Sequence, residues 1–180
     1  GFESQNKSAL LKIARKYKNL EIADGRDVDI IGSVYKLPFK DETFSVIALF
    51  MVLEHLNEPK KALKECHRVL KAGGFLLMTT VQYWHTHGHP DDYYRYTKSG
   101  LEYLFVETGF EKLDIWSHGG PILVVFHAIE LNLPPFLRLL FSISFYRIAE
   151  YLDWLFFSHF DRRTLSDSVG WSVIAKKSTY

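Results

Sequence analysis

Short apolar runs alternate with helical patterns along the first two thirds of the chain, and this alternation most narrowly limits the fold. Phe44–Phe50 is nearly all apolar, and Phe75–Val81 is a second run of this kind. Such runs are typical of strands that are covered on both faces, as in parallel sheets. Between them, a helical pattern opens at Pro59 and ends at Gly73–Gly74. Strands that alternate with helices predict an α/β fold with a mostly parallel sheet.

Other segments extend this pattern toward both ends of the chain. Ser99 and Glu102 have the spacing of a capping box, which predicts the start of another helix. A length of 180 residues is little more than one domain, so we expect residues 1–180 to form a single domain. Four further short runs have strand character: Asn19–Ile22, Val28–Ile31, Phe110–Trp116 and Trp171–Ala175.

Charge and cysteine content exclude several classes of function. The 22 basic and 21 acidic residues leave a net charge of +1, which gives no electrostatic reason to expect a nucleic-acid partner. The single cysteine, Cys66, excludes an intrachain disulfide and a zinc site with several cysteines. It also fits a reducing compartment, and we therefore expect a cytoplasmic protein.

Residues 121–160 differ from the rest of the chain. They hold 10 of the 28 aromatic residues and only five charged ones. Their longest stretch without a charge is nine residues, against roughly 20 for a membrane span, and Pro134–Pro135 predicts a break between two helices. Packing into the core is the ordinary role of such a pattern. The aromatic excess favours instead a lid over an apolar substrate, a homodimer face or a peripheral contact with a membrane surface, and these three remain open.

Three groups of residues resemble, in combination, the class I S-adenosylmethionine-dependent methyltransferases that act on small molecules. Residues 28–55 contain Leu-Pro-Phe and end on Leu-Glu-His, and residues 62–74 read Ala-Leu-Lys-Glu-Cys-His-Arg-Val-Leu-Lys-Ala-Gly-Gly. Residues 170–176 match the family's last strand. The resemblance implies a Rossmann-like, doubly wound and mostly parallel sheet, an antiparallel last strand and a helical insertion before that strand, here residues 121–160.

The same resemblance implies a function. The cofactor would be S-adenosylmethionine, and the acceptor a small molecule, with a saccharide or a lipid-linked compound as candidates. The alternative is a non-catalytic binding or scaffold protein that keeps the methyltransferase frame.

Several positions match cofactor contacts of that family. Glu21 would accept hydrogen bonds from both ribose hydroxyls, although it could be an ordinary strand-end glutamate, with Asp24 as the nearby alternative. Ser33 and Val34 lie where the family reads the adenine edge, and Ser33 replaces the usual acid, which weakens that bond. Phe50–Met51 would lie along the methionine moiety, although plain packing explains these side chains equally well.

The family's glycine-rich loop is largely missing from this sequence. Only residues 1–4 could be its tail, with Gly1 as a candidate cofactor contact, and no strand precedes them. In the family that strand lies between the strands that here end at Glu21 and Phe50. We therefore expect a gap in the sheet with two unpaired strand edges, and infer that the sequence is truncated or that another element fills the gap.

The segment 82–96 supplies the candidates for the acceptor side. It resembles the His…Asp-Tyr-x-Arg-Tyr-Thr loop of methyltransferases associated with glycan or lipid-linked pathways, and it follows a strand's carboxyl end, where this fold binds ligands. A base helps when the acceptor is a hydroxyl. His85, His87 and His89 are base candidates, and we assign the catalytic role to His85. His55 is either a second catalytic group or a cap for the following helix.

Arg95 and the histidine repeat each allow two interpretations. Arg95 could hold a phosphate or carboxylate of the substrate, or could pair with Asp91 or Asp92 to order the loop. The three loop histidines and Asp91 also resemble a metal cluster, because imidazole suits zinc and nickel. Alternate residues of an extended loop cannot all point one way, so the sequence predicts no metal ion.

Overall fold

A computed structural model describes residues 18–21, 28–88, 91–157 and 167–179. A short 3₁₀ turn, Leu53–His55, follows the third strand. The strands and α-helices are, in chain order, β1 (Leu20–Glu21), β2 (Ile30–Ile31), β3 (Phe44–Phe50), α1 (Pro59–Val69), β4 (Leu70–Val81), α2 (Lys98–Val106), β5 (Phe110–His118), α3 (Pro121–Leu131), α4 (Pro135–Phe157) and β6 (Gly170–Lys177).

The main sheet has the strand order β3-β4-β6-β5. β3 and β4 are parallel, with Phe50 opposite Thr79, and β6 is antiparallel to both β4 and β5. Three of the four strands therefore run in one direction, and only the last strand of the chain opposes them. This arrangement confirms the predicted Rossmann-like α/β fold with an antiparallel last strand.

Among the described residues, the first two strands do not pair with the main sheet. β1 and β2 form a parallel pair of their own, and within the described ranges β3 pairs with β4 alone. Val46 in β3 is 47% exposed, whereas Leu76 and Met78 in β4 are buried. The described residues thus show the discontinuity that the sequence predicts between the strands ending at Glu21 and Phe50.

The core lies between the main sheet and the helices α1 and α2. From α1, Leu63 and Cys66 are fully buried, and Leu101 and Phe105 of α2 join them against the sheet. Burial raises the pKa of the Cys66 thiol to about 12, so this cysteine is a packing residue and not a reactive one.

Two element boundaries differ from the predicted ones. α1 ends at Val69, before Gly73–Gly74, because Leu70 already pairs with Phe44 ahead of a register shift in the ladder. The cap of α2 is Thr97, whose side chain accepts a hydrogen bond from the backbone N–H of Gly100 at 3.1 Å. The capping box predicted at Ser99 and Glu102 does not form, since both residues already lie inside the helix.

Helices α3 and α4 pack against each other, and the predicted break at Pro134–Pro135 is confirmed. The carboxylate of Asp153 in α4 accepts hydrogen bonds from the backbone N–H groups of Gly120, Ile122 and Leu123 at 2.9–3.0 Å. This carboxylate therefore satisfies free N–H groups at the N-terminus of α3 and offsets the positive end of the helix dipole, although Asp153 belongs to α4. Among the described residues, no helix is both long enough and apolar enough to cross a membrane.

Candidate functional site

The candidate site lies at the carboxyl edge of the parallel strands. β3 and β4 are neighbours, and they are followed by the turn 53–55 and the loop 82–97 respectively. The hydroxyl of Tyr35, which follows β2, donates to the side-chain oxygen of Asn57 at 2.7 Å. The segments that follow β2 and β3 are therefore fastened together at this edge. Open α/β sheets bind their ligands at such an edge.

Residues predicted to contact the cofactor lie at the ends of β1 and β2. Glu21 is exposed at the end of β1, and its carbonyl accepts from the N–H of Gly32 at 2.9 Å. The Ser33 hydroxyl oxygen accepts from the N–H of Tyr35 at 3.2 Å, and Val34 packs against the core. Glu21, Ser33 and Val34 thus share one edge, whereas Gly1 and Asp24 lie outside the described residues.

Met51, which directly follows Phe50 at the end of β3, has an unusual backbone conformation. Met51 has φ of +54°, and its N–H still donates to the carbonyl of Thr79 at 3.0 Å. A residue with a side chain in this left-handed region costs about 1–2 kcal/mol, and such strain tends to occur at functional sites. The sequence gives no sign of this conformation, because glycine is the residue that normally marks it.

The end of the loop 82–97 is fixed on the 53–55 turn. The N–H groups of Tyr93 and Tyr94 both donate to the carbonyl of Glu54, at 2.9 and 3.2 Å. The Tyr96 hydroxyl donates to the carbonyl of Leu53 at 3.1 Å, and burial raises the pKa of this phenol. Trp171 of β6 donates from its indole nitrogen to the Tyr96 carbonyl at 2.9 Å. These hydrogen bonds hold the loop in one position at the carboxyl edge of the sheet.

Arg95 orders the first part of the same loop. Its guanidinium binds both carboxylate oxygens of Asp92 and donates to the carbonyls of Trp84, His85 and Tyr94. Hydrogen bonding to Arg95 holds the pKa of Asp92 well below its usual range. The second of the two interpretations describes this arrangement, with Asp92 as the partner. Arg95 thus positions the loop, and its role in binding a substrate stays a prediction.

The ring of His87 contacts the rings of both His55 and His85. His55 and His87 meet edge to face, with ring centroids 4.9 Å apart, although they follow different strands. His85 is exposed and stacks on Trp84 at 5.4 Å. His89 lies outside the described residues. Of the sequence-predicted catalytic residues, His55 and His85 thus stand at the crevice in different surroundings.

Two side chains that the sequence reasoning missed complete the site. Glu54 is fully buried, and one of its carboxylate oxygens accepts from the Thr80 hydroxyl at 2.9 Å. His127 of α3 stacks on Trp84 at 4.4 Å, and burial lowers the pKa of this imidazole. A carboxylate within the apolar stretch around Leu53 was a visible signal for Glu54. No sequence signal linked His127 to the loop.

Helix α4 carries a broad apolar surface that the described residues leave exposed. Tyr151, Trp154 and Phe156 are each 57–60% exposed, and Phe145, Ile148 and Leu155 are 40–45% exposed. Packing of these residues into the core is therefore not what the structure shows. The three interpretations of residues 121–160 remain predictions.

Comparison with known proteins supports this assignment of the fold. A family model described as a methyltransferase domain matches residues 6–78. An uncharacterized methyltransferase of Schizosaccharomyces pombe is 50% identical over 46 residues, which are 26% of this chain and 16% of that protein. The alignment thus covers only a small part of that protein's length.

Solved structures show the same fold over most of the chain. A methyltransferase from Archaeoglobus fulgidus that depends on S-adenosylmethionine superposes with a TM-score of 0.57 at 12% identity, covering 97% of this chain and 81% of that one. The cyclase SpnF has a TM-score of 0.53 at 20% identity, covering 86% and 57%. A cyclase among the neighbours means that the fold alone does not fix the reaction. Residues 6–78 are thus similar to the methyltransferase domain family, and the chain shares its fold with solved methyltransferases.

Proposed function

We propose that the protein transfers a methyl group from S-adenosylmethionine to a small molecule, and that a saccharide or a lipid-linked compound is the acceptor. One observation carries the proposal. The turn after β3 and the loop after β4 are bonded to each other at the carboxyl edge of the sheet, through Glu54 and Tyr93–Tyr94. This contact brings histidines from both segments to the place where the fold binds ligands.

The described residues fit the cofactor on the ribose side. When bound, S-adenosylmethionine supplies a methyl group on a sulfonium that is already reactive. The exposed carboxylate of Glu21 would hold it through the ribose, because one carboxylate can accept two hydroxyl hydrogens. Ser33 offers a weaker acceptor than an acid, since its oxygen already accepts from Tyr35. Phe50 and Met51 would provide apolar contacts at the end of β3.

On the acceptor side, the loop 82–97 offers a general base and an aromatic surface. His85 is exposed and could take the proton of an acceptor hydroxyl, which is useful chemistry for O-methylation. Trp84 stacks on both His85 and His127, whose own rings are 6.2 Å apart, and adds a flat apolar ring beside His85. Holding the acceptor in line with the methyl group is the larger part of catalysis in such a reaction. Arg95 contributes by keeping this loop in place.

Calorimetric titration with S-adenosylmethionine and S-adenosylhomocysteine tests the cofactor half of the proposal. We expect binding in the micromolar range, and about tenfold weaker binding for Glu21→Gln, since the amide keeps only part of the acceptor capacity. Glu111→Gln is the matched control, because Glu111 is exposed near the start of β5, at the opposite edge of the sheet. Equal affinity of the Glu21 variant and the wild type would refute the ribose assignment.

Formation of S-adenosylhomocysteine in the presence of saccharide and lipid-linked acceptors tests the catalytic half. Turnover with at least one class supports the enzyme. Cofactor binding with no turnover on any acceptor offered would favour the alternative, a binding protein on the methyltransferase frame.

A further inference from the structure

Glu54, His55 and His87 form a cluster that the proposed methyl transfer does not require. One potential ligand atom of each residue lies within 4.8 Å of those of the other two. We propose that these three residues bind a divalent transition-metal ion, with Zn²⁺ as the preferred ion. The sequence argument against a metal ion concerned the alternate residues of one loop, whereas this cluster combines a turn and a loop that follow adjacent strands.

The hydrogen bonds of the two imidazoles leave one nitrogen of each ring available for coordination. Nδ1 of His55 lies 2.6 Å from the carbonyl of Asp91, and Nδ1 of His87 lies 3.0 Å from the carbonyl of His85. Because a carbonyl oxygen only accepts, each Nδ1 must carry the proton in these contacts. The lone pair of each neutral ring is then on Nε2. A backbone carbonyl on the second nitrogen is the usual companion of a metal-binding histidine.

Glu54 is the second, independent observation. Its side chain is fully buried, and Oε1 has no hydrogen-bond partner among the described residues, while Oε2 accepts from Thr80. A buried carboxylate oxygen without a partner is costly, and natural structures rarely keep one without a reason. A cation held by His55 and His87 would supply the missing interaction.

The carboxylate of Asp92 also contacts His87, on the Nδ1 side of its ring. Oδ2 of Asp92 lies 3.5 Å from Nδ1 of His87 and accepts from the backbone N–H of the same residue at 2.9 Å. Asp92 is itself held by Arg95. Carboxylates in this position orient metal-binding histidines and make them better ligands.

Two imidazoles and one carboxylate form the ligand set of catalytic zinc sites with an open fourth position. At bond lengths of about 2.0–2.1 Å the ligand atoms would approach one another to roughly 3.4 Å, so the cluster must contract on binding. His55 and His87 are only half buried, which leaves an ion a route of entry. A cation beside the acceptor loop would favour an acceptor that presents an oxygen atom. That last step rests on the proposed function, and the metal site does not.

The test is titration of the chelator-treated chain with Zn²⁺ by calorimetry, with the bound metal measured by mass spectrometry. We expect one ion per chain, and at least about 100-fold weaker binding for His87→Ala and Glu54→Gln, since loss of an outer-shell partner alone costs 10–100-fold. Co²⁺ in place of Zn²⁺ should give the intense visible bands of a tetrahedral ion. His85→Ala is the matched control, because His85 is in the same loop, is exposed and lies outside the cluster.

Three results would overturn the site: no stoichiometric ion, equal affinity of wild type and His87→Ala, or equal losses for His85→Ala and His87→Ala. Thermal unfolding of the metal-free variants checks that each is folded, and His55→Ala replaces any variant that is not. Titration of the same samples with S-adenosylmethionine separates the two proposals. If the chain binds the cofactor but no metal ion, the metal site is refuted and the proposed function stands. If the chain binds the metal ion but not the cofactor, the proposed function is refuted and the metal site stands.

Discussion

Replacing Arg95 by alanine removes the group that organises the loop 82–97. Five hydrogen bonds disappear with the guanidinium, two of them to the carboxylate of Asp92 and three to loop carbonyls. The Asp92 side chain is 2% exposed and that of Arg95 is 27% exposed. The substitution therefore leaves a buried carboxylate whose remaining hydrogen-bond donor among the described residues is the backbone N–H of His87.

The cost follows from that burial. Breaking a buried ion pair by removing one partner costs about 3–5 kcal/mol, and the partial exposure of Arg95 places this pair at the lower limit, about 3 kcal/mol. For a domain of this size, each kcal/mol lowers the melting temperature by about 2–4 °C. We therefore expect the Arg95→Ala variant to melt about 6–12 °C below the wild type at neutral pH.

The loss should depend on pH in a defined direction. Arg95 holds the pKa of Asp92 well below its usual range in the folded chain, whereas an unfolded aspartate titrates near 3.9. The pair therefore contributes its full stability above about pH 4, and loses it as the pH falls toward the lower pKa of the folded state. The gap between wild type and Arg95→Ala should be constant from neutral pH to about pH 5 and narrow below pH 4.

Thermal unfolding by circular dichroism measures both effects. Arg147→Ala is the matched control, because the Arg147 side chain is 87% exposed and its ion pair with Glu150 should be worth less than about 1 kcal/mol. A change of less than 2 °C for Arg95→Ala, or a gap that widens in acid, would refute the structural role assigned to Arg95. Either result would favour the other interpretation of Arg95, in which it binds the substrate.

Three further predictions concern the helical insertion and the loop. Asp153→Ala should lower the free energy of unfolding by about 2 kcal/mol, because three N–H groups at the start of α3 lose a charged acceptor, and urea unfolding would measure it. His85→Ala should leave the affinity for S-adenosylmethionine unchanged and slow turnover about 10²-fold or more, which a coupled S-adenosylhomocysteine assay would detect. Trp154→Ser should reduce retention on anionic lipid vesicles if α4 contacts a membrane; a monomer that vesicles do not retain at all would leave the lid as the interpretation of residues 121–160.

Much of the fold is readable from the sequence because the strands of the main sheet are largely apolar. Phe44–Phe50 and the end of β4 have this composition, which is visible without knowing their partners, although β3 is only partly buried. Boundaries are less readable, because they depend on contacts far away in the chain. The start of β4 at Leu70 is set by its pairing with Phe44, and nothing near Leu70 announces it.

The candidate site is readable only in part, for a similar reason. Adjacent parallel strands end at one edge, so a meeting of His55 with a histidine of the next loop follows from topology alone. Which histidine meets it depends on the path of the loop, and that path is fixed by Arg95 and Asp92. His127 comes from an insertion whose docking no local pattern encodes.

The helices α3 and α4 contact the loop 82–97 through a series of side-chain interactions. Asp153 of α4 fixes the start of α3, and His127 of α3 stacks on Trp84, which is next to His85. Burial lowers the pKa of His127 and so disfavours the charged ring, and the stacked rings of Trp84 and His127 form an apolar wall beside His85. An acceptor bound beside His85 would meet that wall. If the proposed methyl transfer is correct, we therefore expect an acceptor with an apolar portion next to its reactive oxygen to bind better than a fully polar one.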